Sequence, residues 1–101
     1  MPEIKYLPSF YQELEAIIDY ISLTLEAPKA ALNLLDELDT SINKLKQMPN
    51  AHRLYRSVKP IKTQYRILTV KNYLVFYVVF EENIEIHRII YKKRNLSQLI
   101  K

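Results

Sequence analysis

The chain has 101 residues, 49% of them hydrophobic, no glycine, no cysteine and a formal net charge of +4. That length suits one domain spanning residues 1–101 and burying roughly 65% of the surface its unfolded form exposes, and no apolar run approaches the ~20 residues needed to cross a bilayer. Without glycine there is no phosphate loop, dinucleotide fingerprint or nucleophile elbow, and the two isolated histidines, His52 and His87, make no metal set, so neither a metal nor another cofactor is expected.

Residues 3–7 read as a short strand that Pro8-Ser9 breaks. Ser9 with Gln12 three residues on has the form of a capping box, and Phe10, Leu14, Ile17, Ile18, Ile21 and Leu25 follow at helical spacing. Pro28 suits the first turn of a second helix whose stripe of Ala31, Leu34, Leu35, Leu38, Ile42 and Leu45 runs to about Met48, where Pro49-Asn50 ends it. Asp36, Glu37 and Asp39 lie on its outer face, and Lys44 and Lys46 sit where cations complement the helix dipole. Two long helices joined by a few residues imply an antiparallel hairpin.

The period then changes. Tyr65 to Val70, Tyr73 to Phe80 and Ile84 to Tyr91 are rich in β-branched and aromatic residues, and Lys71-Asn72 and Glu81-Glu82-Asn83 separate them, with asparagine standing in for glycine at the strained turn positions. The middle run has no polar alternation and is expected to be an interior strand covered on both faces. Asn95 and Gln98 can cap a last helical turn ending at Ile100. The predicted fold is α+β, β-α-α-β-β-β: an antiparallel sheet made of the N-terminal strand and a three-stranded meander, packed against the two-helix hairpin, with a short C-terminal helical turn.

Charge is divided by position. Residues 1–43 carry eight acids and two bases, and residues 44–101 carry thirteen bases and three acids. A concentrated positive field attracts phosphate or an acidic partner. The connection from Pro49 to Thr63 holds His52, Arg53, Tyr55, Arg56, Lys59 and Lys62, cations interleaved with a ring in the manner that suits an RNA backbone with unstacked bases. The start, Met1-Pro2-Glu3-Ile4-Lys5, lacks the apolar core of a secretion signal, so a cytoplasmic protein without membrane attachment is expected.

The element order, together with Tyr65-Arg66-Ile67-Leu68, Asn72-Tyr73-Leu74-Val75-Phe76-Tyr77 and Ile86-His87-Arg88-Ile89-Ile90-Tyr91-Lys92-Lys93-Arg94-Asn95, resembles the RelE/ParE superfamily of bacterial toxins. The resemblance spans nearly the whole chain. It implies a toxin held inactive by a cognate antitoxin. Similar proteins either cleave mRNA in the ribosomal A site or poison DNA gyrase, and the resemblance leads to ribosome-dependent mRNA cleavage as the first expectation, a metal-independent endoribonuclease, with a ParE-like gyrase inhibitor as the alternative.

Cleavage with the 2′-hydroxyl as nucleophile needs a proton acceptor, a proton donor and cations at the phosphate. By the resemblance, Arg94 matches the arginine facing the scissile phosphate, and Arg66 matches a catalytic basic position. Tyr91, beside three cations, and His87, with an imidazole suited to proton transfer near neutrality, complete the catalytic candidates. Lys92, Lys93, Arg53, Arg56, Lys59 and Lys62 are the expected phosphate-binding set. Two departures from the best-known ribonucleases stand out: Leu74 takes the place of an arginine and Ile100 that of a tyrosine. The long hairpin looks more like the gyrase-poisoning branch. Arg88 has two possible settings: it lies among the helices and must be neutralised if Ile86 and Ile90 face them, or is free to bind phosphate if Ile89 and Tyr91 do.

Overall fold

A computed structural model describes residues 2–56 and 63–93. Strand β1 (Glu3–Tyr6) leads into helix α1 (Pro8–Asp19), which continues through a π-helical turn at Tyr20–Thr24. Helix α2 (Pro28–Asn43) runs into a single tight turn at Lys44–Lys46, and strands β2 (Arg66–Val70), β3 (Tyr73–Val79) and β4 (Asn83–Tyr91) follow. The expected C-terminal helical turn, with Asn95 and Gln98, lies outside the described residues.

The apolar stripes form the core as their spacing predicts, except that Leu25, the last of the first stripe, falls beyond the helical turn and is exposed. Phe10 and Ile21 from the first helical segment and Ala31, Leu34, Leu38, Ile42 and Leu45 from the second are buried against Leu68, Val70, Val75, Tyr77, Ile84, Ile86 and Ile89 of the sheet. The capping box does not form. Pro8 occupies the first helical position, where its missing N–H leaves nothing unsatisfied, so the helix starts a residue early with Leu7 as its cap. The Ser9 hydroxyl is thereby freed and donates to the His87 carbonyl at 2.7 Å.

The sheet order is β1-β4-β3-β2. The meander pairs antiparallel, but β1 lies parallel to β4, so the sheet is mixed and not antiparallel throughout. Short turns fix the direction of consecutive strands. The partner of β1 is far away in sequence, and nothing local specifies its direction. Strand β3 is interior, and Leu74, Val75, Phe76 and Tyr77 are buried. Leu74 and Phe76 form a second apolar layer with Ile67 and Ile90, on the face away from the helices, and Tyr55 and Tyr65 pack over it.

The turns are managed without glycine, though not by asparagine. Among the described residues, Glu26 and Lys71 are the non-glycine positions with positive φ, each at 52°. Glu26 closes the first helical segment and Lys71 opens the β2–β3 turn, while Asn83 belongs to the strand.

A β-bulge interrupts β4. Phe76 faces Arg88 and the next residue, Tyr77, faces Ile86, which leaves His87 as an extra residue. The phase slip lets Ile86 and Ile89 both face the helices, which corrects both settings imagined for Arg88. Its guanidinium forms a bidentate pair with Glu13 of α1, Nε to Oε1 at 2.8 Å and a terminal nitrogen to Oε2 at 2.7 Å, and Glu13 Oε1 also accepts the Ile89 N–H at 3.3 Å.

Candidate functional site on the outer sheet face

The connection after α2 is drawn onto the sheet by its backbone. Residues 53–55 run antiparallel beside the start of β2, the Tyr55 N–H donating to the Tyr65 carbonyl at 2.7 Å and the Ile67 N–H to the Arg53 carbonyl at 3.0 Å. Arg66 fastens the stretch before them. Its guanidinium donates to the His52 carbonyl at 2.7 Å and to the Asn50 carbonyl at 3.5 Å. Nearby, the buried Tyr77 hydroxyl donates to the Pro49 carbonyl at 3.1 Å, and burial pushes that phenol up to about 12, against the opposing pull of Arg66.

These contacts build a cleft of about 520 Å³ lined by Arg53, Leu54, Tyr55, Arg56, Arg66, Ile67 and Leu74. Arg53 and Arg56 are exposed, so two of the expected phosphate-binding cations do come together. Arg66 joins them as a lining residue whose donors already serve backbone carbonyls. Leu74 is buried beneath, so the place of the missing arginine is filled by packing.

On the same outer face the bulge turns His87 towards Tyr65, whose ring stands edge-on to Phe76 at 5.7 Å and to the imidazole at 5.3 Å. The Tyr65 hydroxyl lies 3.1 Å from His87 Nδ1, and His87 Nε2 lies 3.0 Å from Glu85 Oε1. An ionised carboxylate only accepts, so Nε2 carries a proton; in the neutral ring Nδ1 then accepts from the phenol. Burial raises the Tyr65 phenol above its ordinary value, and the Arg88 cation opposes that shift. Sequence reasoning singled out His87 but not its two partners. Glu85 could have been found two residues away on the same strand face, whereas Tyr65 carries no local signal.

The other candidates lie elsewhere. Tyr91 stacks edge-to-face on its cross-strand partner Tyr73 at 5.7 Å, and Lys92 and Lys93 are exposed just beyond. Tyr91 lines a groove of about 940 Å³ between the hairpin tip and the sheet, with Tyr20, Ile21, Leu34, Lys71 and Tyr73 among its walls. Helix side and outer face thus divide Tyr91 from His87. Arg94, Lys59 and Lys62 lie outside the described residues. No group of three or more metal-ligating side chains occurs among the described residues, and none of their helices is long and apolar enough to cross a membrane.

The family model for the ParE toxin of type II toxin–antitoxin systems, parDE, matches residues 4–96. The chain belongs to the ParE toxin family. A ParE-family chain should share the fold of solved relatives, and it does. A chain of the chromosomal ParDE TA system from P. aeruginosa superposes with a TM-score of 0.67 at 23% identity, covering 90% of this toxin and 96% of that chain. YafQ from E. coli strain BL21(DE3) superposes with a TM-score of 0.50 at 15% identity, covering 91% and 94%. At these identities the likeness is one of fold. No curated protein sequence matches.

Proposed function

We propose that this ParE-family toxin arrests growth by binding DNA gyrase and is neutralised by a cognate antitoxin. The match to the ParE family over residues 4–96 carries the reading, because the gyrase-poisoning branch is the ParE-like one. Two features of the outer face support it. The Arg66 guanidinium is committed to the His52 and Asn50 carbonyls, and Leu74 is buried where ribonucleases of the best-known kind place a cation. The long hairpin of α1, its π-helical turn and α2 supports the same branch.

The antitoxin is expected over the groove beneath the hairpin tip, apolar residues against Ile21, Leu34 and Tyr73 and acids towards Lys71, Lys92 and Lys93. The solved ParDE system from P. aeruginosa motivates a protein partner for this chain. Ribosome-dependent mRNA cleavage stands as the second reading, favoured by exposed Arg53 and Arg56 and by the hydrogen-bonded His87. Supercoiling by purified gyrase, assayed beside transcript mapping on translating ribosomes, separates the two. Blocked supercoiling with intact transcripts is the expected result, and new 5′ ends in translated mRNA with normal supercoiling would refute it. Arg94→Ala then weakens binding in the first case and costs on the order of 10²-fold in cleavage rate in the second.

A further inference from the structure

Resting on the gyrase reading above, we infer that the cleft on the outer sheet face takes the phosphate backbone of duplex DNA, so that the toxin grips gyrase together with the DNA that gyrase holds. Residues 40–80 contain eight bases and no acid, and every wall of the cleft comes from that stretch. Arg53 and Arg56 are exposed in it. The ion pairs among the described residues join other side chains, Arg88 to Glu13 and His87 to Glu85, so neither Arg53 nor Arg56 is neutralised by them. Glu85, on the same outer face, is thereby turned away from the two arginines to His87 at 3.0 Å. A cleft walled in this way concentrates positive field and selects an anion.

The anion that fits two guanidinium groups in series is a phosphodiester chain. A guanidinium meets two phosphate oxygens at once, and the DNA backbone repeats that anion at every nucleotide. An extended chain advances about 3.3 Å per residue, so Arg53 and Arg56 stand roughly 10 Å apart, within reach of neighbouring phosphates of one strand for side chains of that length. Their support is fixed before any ligand arrives: two backbone hydrogen bonds hold residues 53–55 on β2, and Arg66 holds the His52 carbonyl at 2.7 Å. Little ordering entropy is then left to lose on binding. The tyrosines decide which nucleic acid is held. A single strand is gripped by stacking its bases on open rings. Here Tyr55 and Tyr65 are packed edge-to-face on Phe76, at 5.2 Å and 5.7 Å, as part of the outer apolar layer. What the cleft offers is charge without a stacking platform, which suits a duplex whose bases already stack on one another. Such binding ignores sequence and is steep in salt, each neutralised phosphate adding about 0.9 to the fall of log K with log salt.

The test measures binding of the full-length toxin to purified gyrase alone and to gyrase loaded with a random-sequence DNA duplex, across a potassium chloride series. Wild type should bind the loaded enzyme more tightly, and the extra affinity should fall as salt rises. Arg53→Ala and Arg56→Ala should each lose about tenfold in affinity for the loaded enzyme and flatten the salt slope by about one, while binding gyrase alone as wild type does. Arg53→Lys and Arg56→Lys should keep the slope, because lysine keeps the charge. Equal affinity for the two forms of gyrase, or unchanged slopes in both alanine variants, would overturn the inference and leave the gyrase reading standing. A loss that persists without DNA would also overturn it, assigning the arginines to an acidic protein surface, as would tighter binding of the toxin alone to a matched RNA than to the duplex. If wild type binds neither form of gyrase, the gyrase reading falls and the DNA contact falls with it.

Discussion

Replacing Glu13 by alanine removes three acceptor contacts at one place: the two to Arg88, at 2.8 and 2.7 Å, and the one to the Ile89 N–H, at 3.3 Å. The side chains of Arg88 and Glu13 are 25% and 24% exposed, which places the pair between two known limits. An exposed pair contributes about 0–1 kcal/mol, and removing one partner of a buried pair costs about 3–5 kcal/mol. With three quarters of each side chain covered and a backbone N–H also orphaned, Glu13→Ala should lose about 2–3 kcal/mol. In a domain of this size that lowers Tm by roughly 10–20 °C. Urea unfolding should show a lower midpoint at unchanged slope, and a double-mutant cycle with Arg88→Met should return a coupling of about 1.5–3 kcal/mol. A loss under about 0.5 kcal/mol, or a coupling near zero, would mean that Glu13 is not what joins α1 to β4.

Other outcomes follow from single residues. The Tyr77 phenol, at about 12 when folded against an ordinary 10.0, keeps its proton where the unfolded chain loses it. Its contribution is therefore intact below pH 10 and is lost as pH climbs towards 12, on the order of 2–3 kcal/mol. Alkaline melts of Tyr77→Phe should fall less steeply than wild type, and an identical slope would count against this account. Phe76 is fully buried with two tyrosine rings against it, so Phe76→Ala should cost about 3–5 kcal/mol by chemical denaturation. Lys71→Gly should gain about 0.5–1 kcal/mol, because φ of 52° strains any side chain with a Cβ, and a loss would show that the lysine contributes something else there.

Much of this fold is written in local patterns. The stripe from Ala31 to Leu45 and the unbroken apolar run in β3 each needed only their own period to be read. The direction of β1 needed a partner some eighty residues away, Ile4 lying beside Ile84, and no local period encodes that. The bulge did leave a trace: Ile84 and Ile86 keep a spacing of two, and the next helix-facing residue, Ile89, comes three later. Site residues follow the same division. Arg53 and Arg56 announce themselves by charge, whereas the bonds from Arg66 to loop carbonyls and from Tyr65 to His87 are tertiary contacts across 14 and 22 positions. Arg66 was therefore legible as a cation but not as a fastener.

Strand β4 is nine residues long, and an exposed strand of that length would template aggregation. Its first half is covered by the four residues of β1. Beyond Tyr6 the chain turns away, and the Leu7 N–H, the Ser9 hydroxyl and the Glu13 carboxylate successively occupy the Ile86 carbonyl, the His87 carbonyl and the Ile89 N–H. Helix α1 thus closes with its first two turns an edge that β1 is too short to close. A second molecule of the toxin finds those backbone groups already taken, and variants at Ser9 or Glu13 would reopen part of that edge to pairing with another chain.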